Sequence, residues 1–117
     1  MGLTNYFVLV PPSTITLKTA SQGTVEDQMM LRVAEDQLET ITCMTSHSNP
    51  APTISWQMGD QVLPSTKQTT TGERTEAILT HSFARSSSGQ ELQCVVSHAA
   101  YPSGERVVTA ILDVLCR

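Results

Sequence analysis

A chain of 117 residues has the size of one domain, and cutting it in two would leave neither half a core of useful volume. Hydrophobic residues make up 39% and charged residues 15%, as in a globular protein, and no apolar run approaches the ~20 residues that span a bilayer. The net charge is −4, and the basic residues are scattered at Lys18, Arg32, Lys67, Arg74, Arg85, Arg106 and Arg117. That pattern excludes the basic footprint on which nucleic-acid binding depends.

Only 4% of the chain is aromatic, whereas Ser and Thr make up 28 of its residues. Threonine and valine are branched at Cβ and suit half-buried pleated strands better than helices, so the composition leans all-β. Period-two runs recur between turn signals and predict seven or eight strands. Residues 6–10 form an apolar run that stops at Pro11-Pro12, because proline lacks the ladder donor. Residues 1–9 are therefore expected to be an expression remnant (Met1-Gly2, with no secretory leader behind it) followed by an inter-domain junction. Residues 10–117 are expected to form the domain.

Residues 14–18 alternate, residues 20–27 carry Gly and charge, and residues 29–33 resume the alternation; these are candidate edge strands. Residues 38–45 place Ile41 and Cys43 on one side and Thr40, Thr42 and Met44 on the other. Glu39 falls where an apolar residue is expected, so it either sits at the strand's wet end or marks a register shift. After the rigid loop Ser48-Asn49-Pro50-Ala51-Pro52, residues 53–58 bring Ile54, Trp56 and Met58 to one side, which predicts a buried Trp56. Gly59-Asp60 turns the chain into residues 61–63. Residues 64–74 are too polar to be buried and are expected to be a surface connection.

Residues 75–84 form the next strand with its register open, either Leu79 and Phe83 or Ile78 facing the core. Ser86-Ser87-Ser88-Gly89 is a turn signal. Leu92, Cys94 and Val96 then share one face of residues 91–98, the clearest strand in the sequence. Residues 99–105, with Pro102 and Gly104, make a loop, and residues 106–115 close the chain as a long apolar strand.

Cys43, Trp56 thirteen positions on and Cys94 thirty-eight further all fall on the inward side of a predicted strand. This spacing resembles an immunoglobulin-like domain. The resemblance implies an all-β fold, a two-sheet antiparallel sandwich of seven to eight strands whose second and sixth strands lie in opposite sheets. It also implies a Cys43–Cys94 disulfide beneath the indole, with Ile41, Ile54, Leu92 and Val96 completing the core. Closing a loop of roughly 50 residues removes on the order of 4 kcal/mol of unfolded-chain entropy. The alternative is two buried reduced cysteines and a chance tryptophan; the inward parity of both cysteines favours pairing, and pairing implies an oxidising compartment.

Asn49-Pro50-Ala51-Pro52-Thr53-Ile54-Ser55-Trp56 resembles the Pro-x-Pro-x-Ile-x-Trp lead-in of adhesion-type immunoglobulin domains. Val8-Leu9-Val10-Pro11-Pro12, Arg74-Thr75-Glu76-Ala77-Ile78-Leu79-Thr80 and Gly89-Gln90-Glu91-Leu92-Gln93-Cys94 together resemble the C2-type second domains of nephrin and its kin-of-irre relatives. Two positions depart from the wider pattern. Leu92 stands where many such domains have a turn-anchoring tyrosine, and Ser87-Ser88-Gly89 replaces Asp-x-Gly, which favours a C2-type module over a variable-type antigen receptor.

The resemblance implies an extracellular module of a multi-domain cell-surface adhesion receptor, serving recognition or acting as a spacer beside the ligand-binding domain. Its partners would be proteins, homophilic or heterophilic, and neighbouring immunoglobulin domains of the same chain, with the membrane reached only through the parent receptor. Gln57, Gln93 and Val95, on exposed strands, are the candidate binding face. Two other readings stay open: a ligand-binding fragment of an immune-type receptor, and an intracellular muscle-type structural module with reduced cysteines.

Nothing in the sequence points to an enzyme or a cofactor. Residues 86–89 lack the Gly-x-Ser-x-Gly elbow, and no Cys-x2-Cys or His-x3-His pair supplies zinc ligands. Glu26-Asp27 and Glu35-Asp36 read as charged protection of sheet edges. Neither Asn5 nor Asn49 begins a glycosylation sequon. His47 and His98 each follow a cysteine by four residues and should emerge at one end of the sandwich. They are either a metal- or pH-sensitive pair or two imidazoles capping the core's wet end; without a nearby carboxylate, capping is favoured. Cys116 is the odd cysteine and is expected to be an unpaired thiol.

Overall fold

The computed structural model describes residues 9–65, 67–71 and 74–115. Ten strands follow one another: β1 Ile15–Thr19, β2 Gly23–Val25, β3 Met29–Ala34, β4 Leu38–Thr45, β5 Thr53–Met58, β6 Gln61–Leu63, β7 Lys67–Thr71, β8 Arg74–Ser82, β9 Glu91–Ser97 and β10 Glu105–Leu115. They form two five-stranded sheets, in the orders β2-β1-β4-β8-β7 and β3-β10-β9-β5-β6. Every pairing is antiparallel except β3 with β10, which run parallel, so the second sheet is mixed. Among the described residues no helix is long and apolar enough to cross a membrane.

Alternation explains the sandwich. Along β4, β5 and β9 every second residue is buried, so each strand turns one face inward and keeps the other for solvent or partners. Trp56, Ile41, Leu92 and Val96 are each 0% exposed and Ile54 is buried beside them. Cys43 on β4 is bonded to Cys94 on β9, with their Cα atoms 6.5 Å apart, and this disulfide joins the two sheets. Trp56 lies directly across from Cys94 in the β5–β9 ladder, within the same buried cluster.

Several expectations are corrected. Among the described residues there are ten strands rather than seven or eight, because a short β2 folds back on β1 and because residues 64–74 contain β7. All five residues of β7 are exposed, and what makes the segment a strand is backbone pairing with β8. The open register of β8 resolves with Thr75, Ala77 and Leu79 inward; Ile78 takes the outer side, and Phe83 is buried just past the strand's end. Glu39 shifts no register, since it pairs with His81 in an unbroken ladder. Its Oε2 accepts the Ala34 N–H at 3.2 Å, closing the turn between β3 and β4 at the wet end of the strand. Cys116 lies outside the described residues.

Candidate recognition faces and the amino-terminal clamp

One end of the sandwich holds the segment that leads into β1. Val10 and Asn49 exchange two backbone hydrogen bonds of 2.8 Å. Ser46 Oγ accepts from the N–H groups of Ser13 at 2.9 Å and Thr14 at 3.1 Å, while Ser46 N–H donates to the Thr14 carbonyl at 3.1 Å. The Tyr101 hydroxyl donates to the Pro12 carbonyl at 2.9 Å, in a buried site, and the Pro12 side chain is itself buried. Residues 10–14 are thus fastened to the β4–β5 loop and to the β9–β10 loop together. Proline has no N–H to give to a ladder, so these loop contacts do for the segment what strand pairing does elsewhere.

Tyr101 anchors a different segment from the turn that a tyrosine in place of Leu92 would hold. Leu92 is 0% exposed and belongs to the core, whereas Tyr101 comes from a loop and reaches across to the chain's opening segment. The Arg106 guanidinium sits 5.7 Å from the centre of the Tyr101 ring, and His98 meets the same ring edge-on at 5.9 Å. Burial holds the phenol above its ordinary titration range, with the Arg106 charge opposing in part.

The two histidines differ in burial. His98 is buried; its Nδ1 accepts the Ala100 N–H at 3.1 Å, so the proton resides on Nε2, which donates to the Pro50 carbonyl at 3.0 Å. His98 therefore caps the core's wet end with both ring nitrogens engaged. His47 is exposed, and the engaged ring of His98 favours the capping reading over a metal- or pH-sensing pair. Among the described residues no group of three His, Cys, Asp or Glu side chains gathers as metal ligands. The serine turn is structural as well: Arg85–Ser87 form a 3-10 turn, and Ser88 Oγ accepts the Val114 N–H at 3.1 Å.

Gln57, Gln93 and Val95 lie on the outer face of the second sheet, each half-buried by its neighbours. Gln57 stands opposite Gln93 in the β5–β9 ladder, and Val95 lies between Ser55 and Val107. The middle of this face carries amides, a hydroxyl and valine rather than charge. Charge appears at the end of β9, where Glu91 shares the outward side, and toward the far edge, where Arg32 and Asp113 approach to 3.9 Å. Interface cores are depleted of charge in this way.

Two stacked sheets with a buried indole beside an inter-sheet disulfide define an immunoglobulin-fold domain. The model of the CD80-like C2-set immunoglobulin domain matches residues 18–103, and the chain belongs to that family. No curated protein sequence matches it. Among solved structures it is similar to the full ectodomain of mouse nectin-like molecule 4, with a TM-score of 0.71 at 20% identity, over 94% of this chain and 36% of that one. It is similar to Rst D1-D2 with a TM-score of 0.69 at 20% identity, over 92% of this chain and 51% of that one. Titin domain M7 gives 0.61 at 17% identity, over 94% and 99%. The chain thus spans about a third of the nectin-like ectodomain and half of Rst D1-D2, and at these identities the likeness is one of fold.

Proposed function

We propose that this domain is an extracellular module of a multi-domain cell-surface recognition receptor, resembling the second domains of nephrin and kin-of-irre proteins. It works by binding rather than catalysis. Its main task is to hold a preceding domain at a fixed angle, with residues 1–9 as the junction. The observation that carries this reading is the clamp on residues 10–14, which fastens the entering chain through Asn49, Ser46 and Tyr101. Each bond adds only about 1 kcal/mol net, but a set of them spread over five residues removes the freedom a flexible linker would keep.

The outer face around Gln57, Gln93 and Val95 is the proposed site of any direct protein contact, homophilic or heterophilic. The Cys43–Cys94 disulfide favours an oxidising compartment, hence the cell exterior. Similarity to titin M7 over nearly its whole length supports a second reading, an intracellular structural module, against which the same disulfide argues.

The test is surface labelling. The full-length protein, tagged next to this domain, is expressed in cultured cells and exposed to a membrane-impermeant biotin reagent. Labelling of the tag in intact cells is the expected result. A tag that becomes accessible only after permeabilisation would overturn the extracellular assignment.

A further inference from the structure

The final strand is paired on one side along its first half and on the other side along its second, with a short overlap at Ala110 and Ile111. β10 pairs with β9 over Glu105–Ile111 but with β3 only from Ala110 onward. The His98 N–H bonds the Gly104 carbonyl, and the Leu112 N–H bonds the Gln90 carbonyl. These two bonds set the alternation, so the backbone groups of Arg106, Val108 and Ala110 face β9, and those of Glu105, Val107 and Thr109 face away from it.

The protein closes part of that edge itself. The Thr109 N–H donates to Asp27 Oδ1 at 2.7 Å, and the Thr109 carbonyl accepts the Gln28 N–H at 2.7 Å. Gln28 is held at φ +69° to make this turn. The Glu105 carbonyl accepts from Ser103 Oγ at 2.9 Å. Of these three residues, Val107 keeps both its N–H and its carbonyl facing outward with no partner on that side.

These groups open onto a cleft of about 390 Å³ between β10 and the β1–β2 hairpin. Its apolar floor is Ile15, Val25 and Val108, all packed against the core. Its rim carries the hydroxyls of Thr16 and Thr24, with the carboxylates of Glu26 and Asp27 at the end nearest Thr109. The stretch that β3 leaves uncovered, residues 105–109, is about 17 Å long at ~3.4 Å per residue, and the open backbone groups lie at its centre, on Val107.

We infer that this cleft accepts an extended segment of a partner protein, which adds to β10 in the track that β3 vacates. Strand addition takes affinity from backbone hydrogen bonds and specificity from alternate side chains. One side chain of the segment faces Ile15 and Val25 and is small and apolar. A lysine or arginine meets the Glu26 carboxylate, since the acidic end of the cleft sets the polarity of its occupant. The site adjoins the outer face at Val95 and Gln93 but uses the outward backbone edge of β10, not the side chains of that face, so it would stand whether or not the receptor reading does.

The probe is a capped synthetic peptide of alternating valine and threonine with one terminal lysine, titrated into the 15N-labelled domain and followed by amide shifts and hydrogen exchange. The Val107 amide should exchange quickly in the free domain and at least tenfold more slowly at saturation, with shifts gathered at Thr24, Val25, Val107 and Thr109. Val107→Pro removes the outward N–H at an edge position where proline fits, leaves the β9 bonds in place, and should weaken binding at least about fivefold. Glu26→Lys should weaken the lysine peptide and spare one carrying glutamate instead. A Val107 amide already protected in the free domain would overturn the inference. So would shifts centred elsewhere, equal binding by a folded Val107→Pro variant, or protection that depends on protein concentration without peptide and so assigns the edge to a second copy.

Discussion

Replacing Tyr101 by Phe removes one oxygen atom and isolates the clamp from the rest of the fold. The ring keeps its place beneath Arg106 and beside His98, but the Pro12 carbonyl loses its donor in a buried setting. A buried acceptor left unpaired costs about 1–3 kcal/mol. With a urea m-value of about 1.5 kcal/mol/M, the unfolding midpoint should fall by about 0.7–2 M at unchanged slope, and the melting temperature by about 4–12 °C. The second measurement is amide exchange at Val10, whose N–H is bonded to Asn49 on the far side of the same segment. Its protection should drop more than that of the amides of β4 and β9. A midpoint within about 0.2 M of the unchanged protein, with Val10 equally protected, would refute the claim that Tyr101 fastens the entering chain.

The same phenol predicts a pH effect. Burial raises its folded pKa above the unfolded value near 10, so its contribution is fully present below that value and is lost as pH rises through the folded pKa. Urea midpoints at about pH 8 and about pH 11 should therefore show the gap between the native domain and Tyr101→Phe shrinking at the higher pH. Trp56→Ala empties the largest fully buried site and should cost about 3–5 kcal/mol by denaturant titration. His98→Ala strips partners from the Pro50 carbonyl and the Ala100 N–H, and should cost about 1–3 kcal/mol while leaving the disulfide intact on mass analysis.

What the sequence made legible was the part governed by local alternation. Cys43 shares parity with Ile41, and Trp56 with Ile54 and Met58, because side chains alternate across a pleated strand, and the same counting turns Gln57 and Gln93 outward. β7 left no such trace: exposed on both faces, it has no apolar period, and only its ladder with β8 makes it a strand. Tyr101 was hidden for a related reason. It lies in a loop, where no periodicity tells which distant carbonyl its hydroxyl will reach, and its partner is 89 residues away. The opening beside Val107 depends on where β3 begins relative to β10, a register between positions as distant in sequence as Met29 and Ala110. Glu39 shows the intermediate case: the alternation flagged it, but only the turn between β3 and β4 explains how it is satisfied.

The bond between Cys43 and Cys94 joins the fold to the proposed location, and counting thiols tests it most directly. In a Cys116→Ser variant unfolded in denaturant, the account predicts no reactive thiol before reduction and two afterwards. Two thiols before any reductant is added would mean that the sheets are not covalently joined in the isolated protein, and the case for an extracellular receptor module would lose its physical basis.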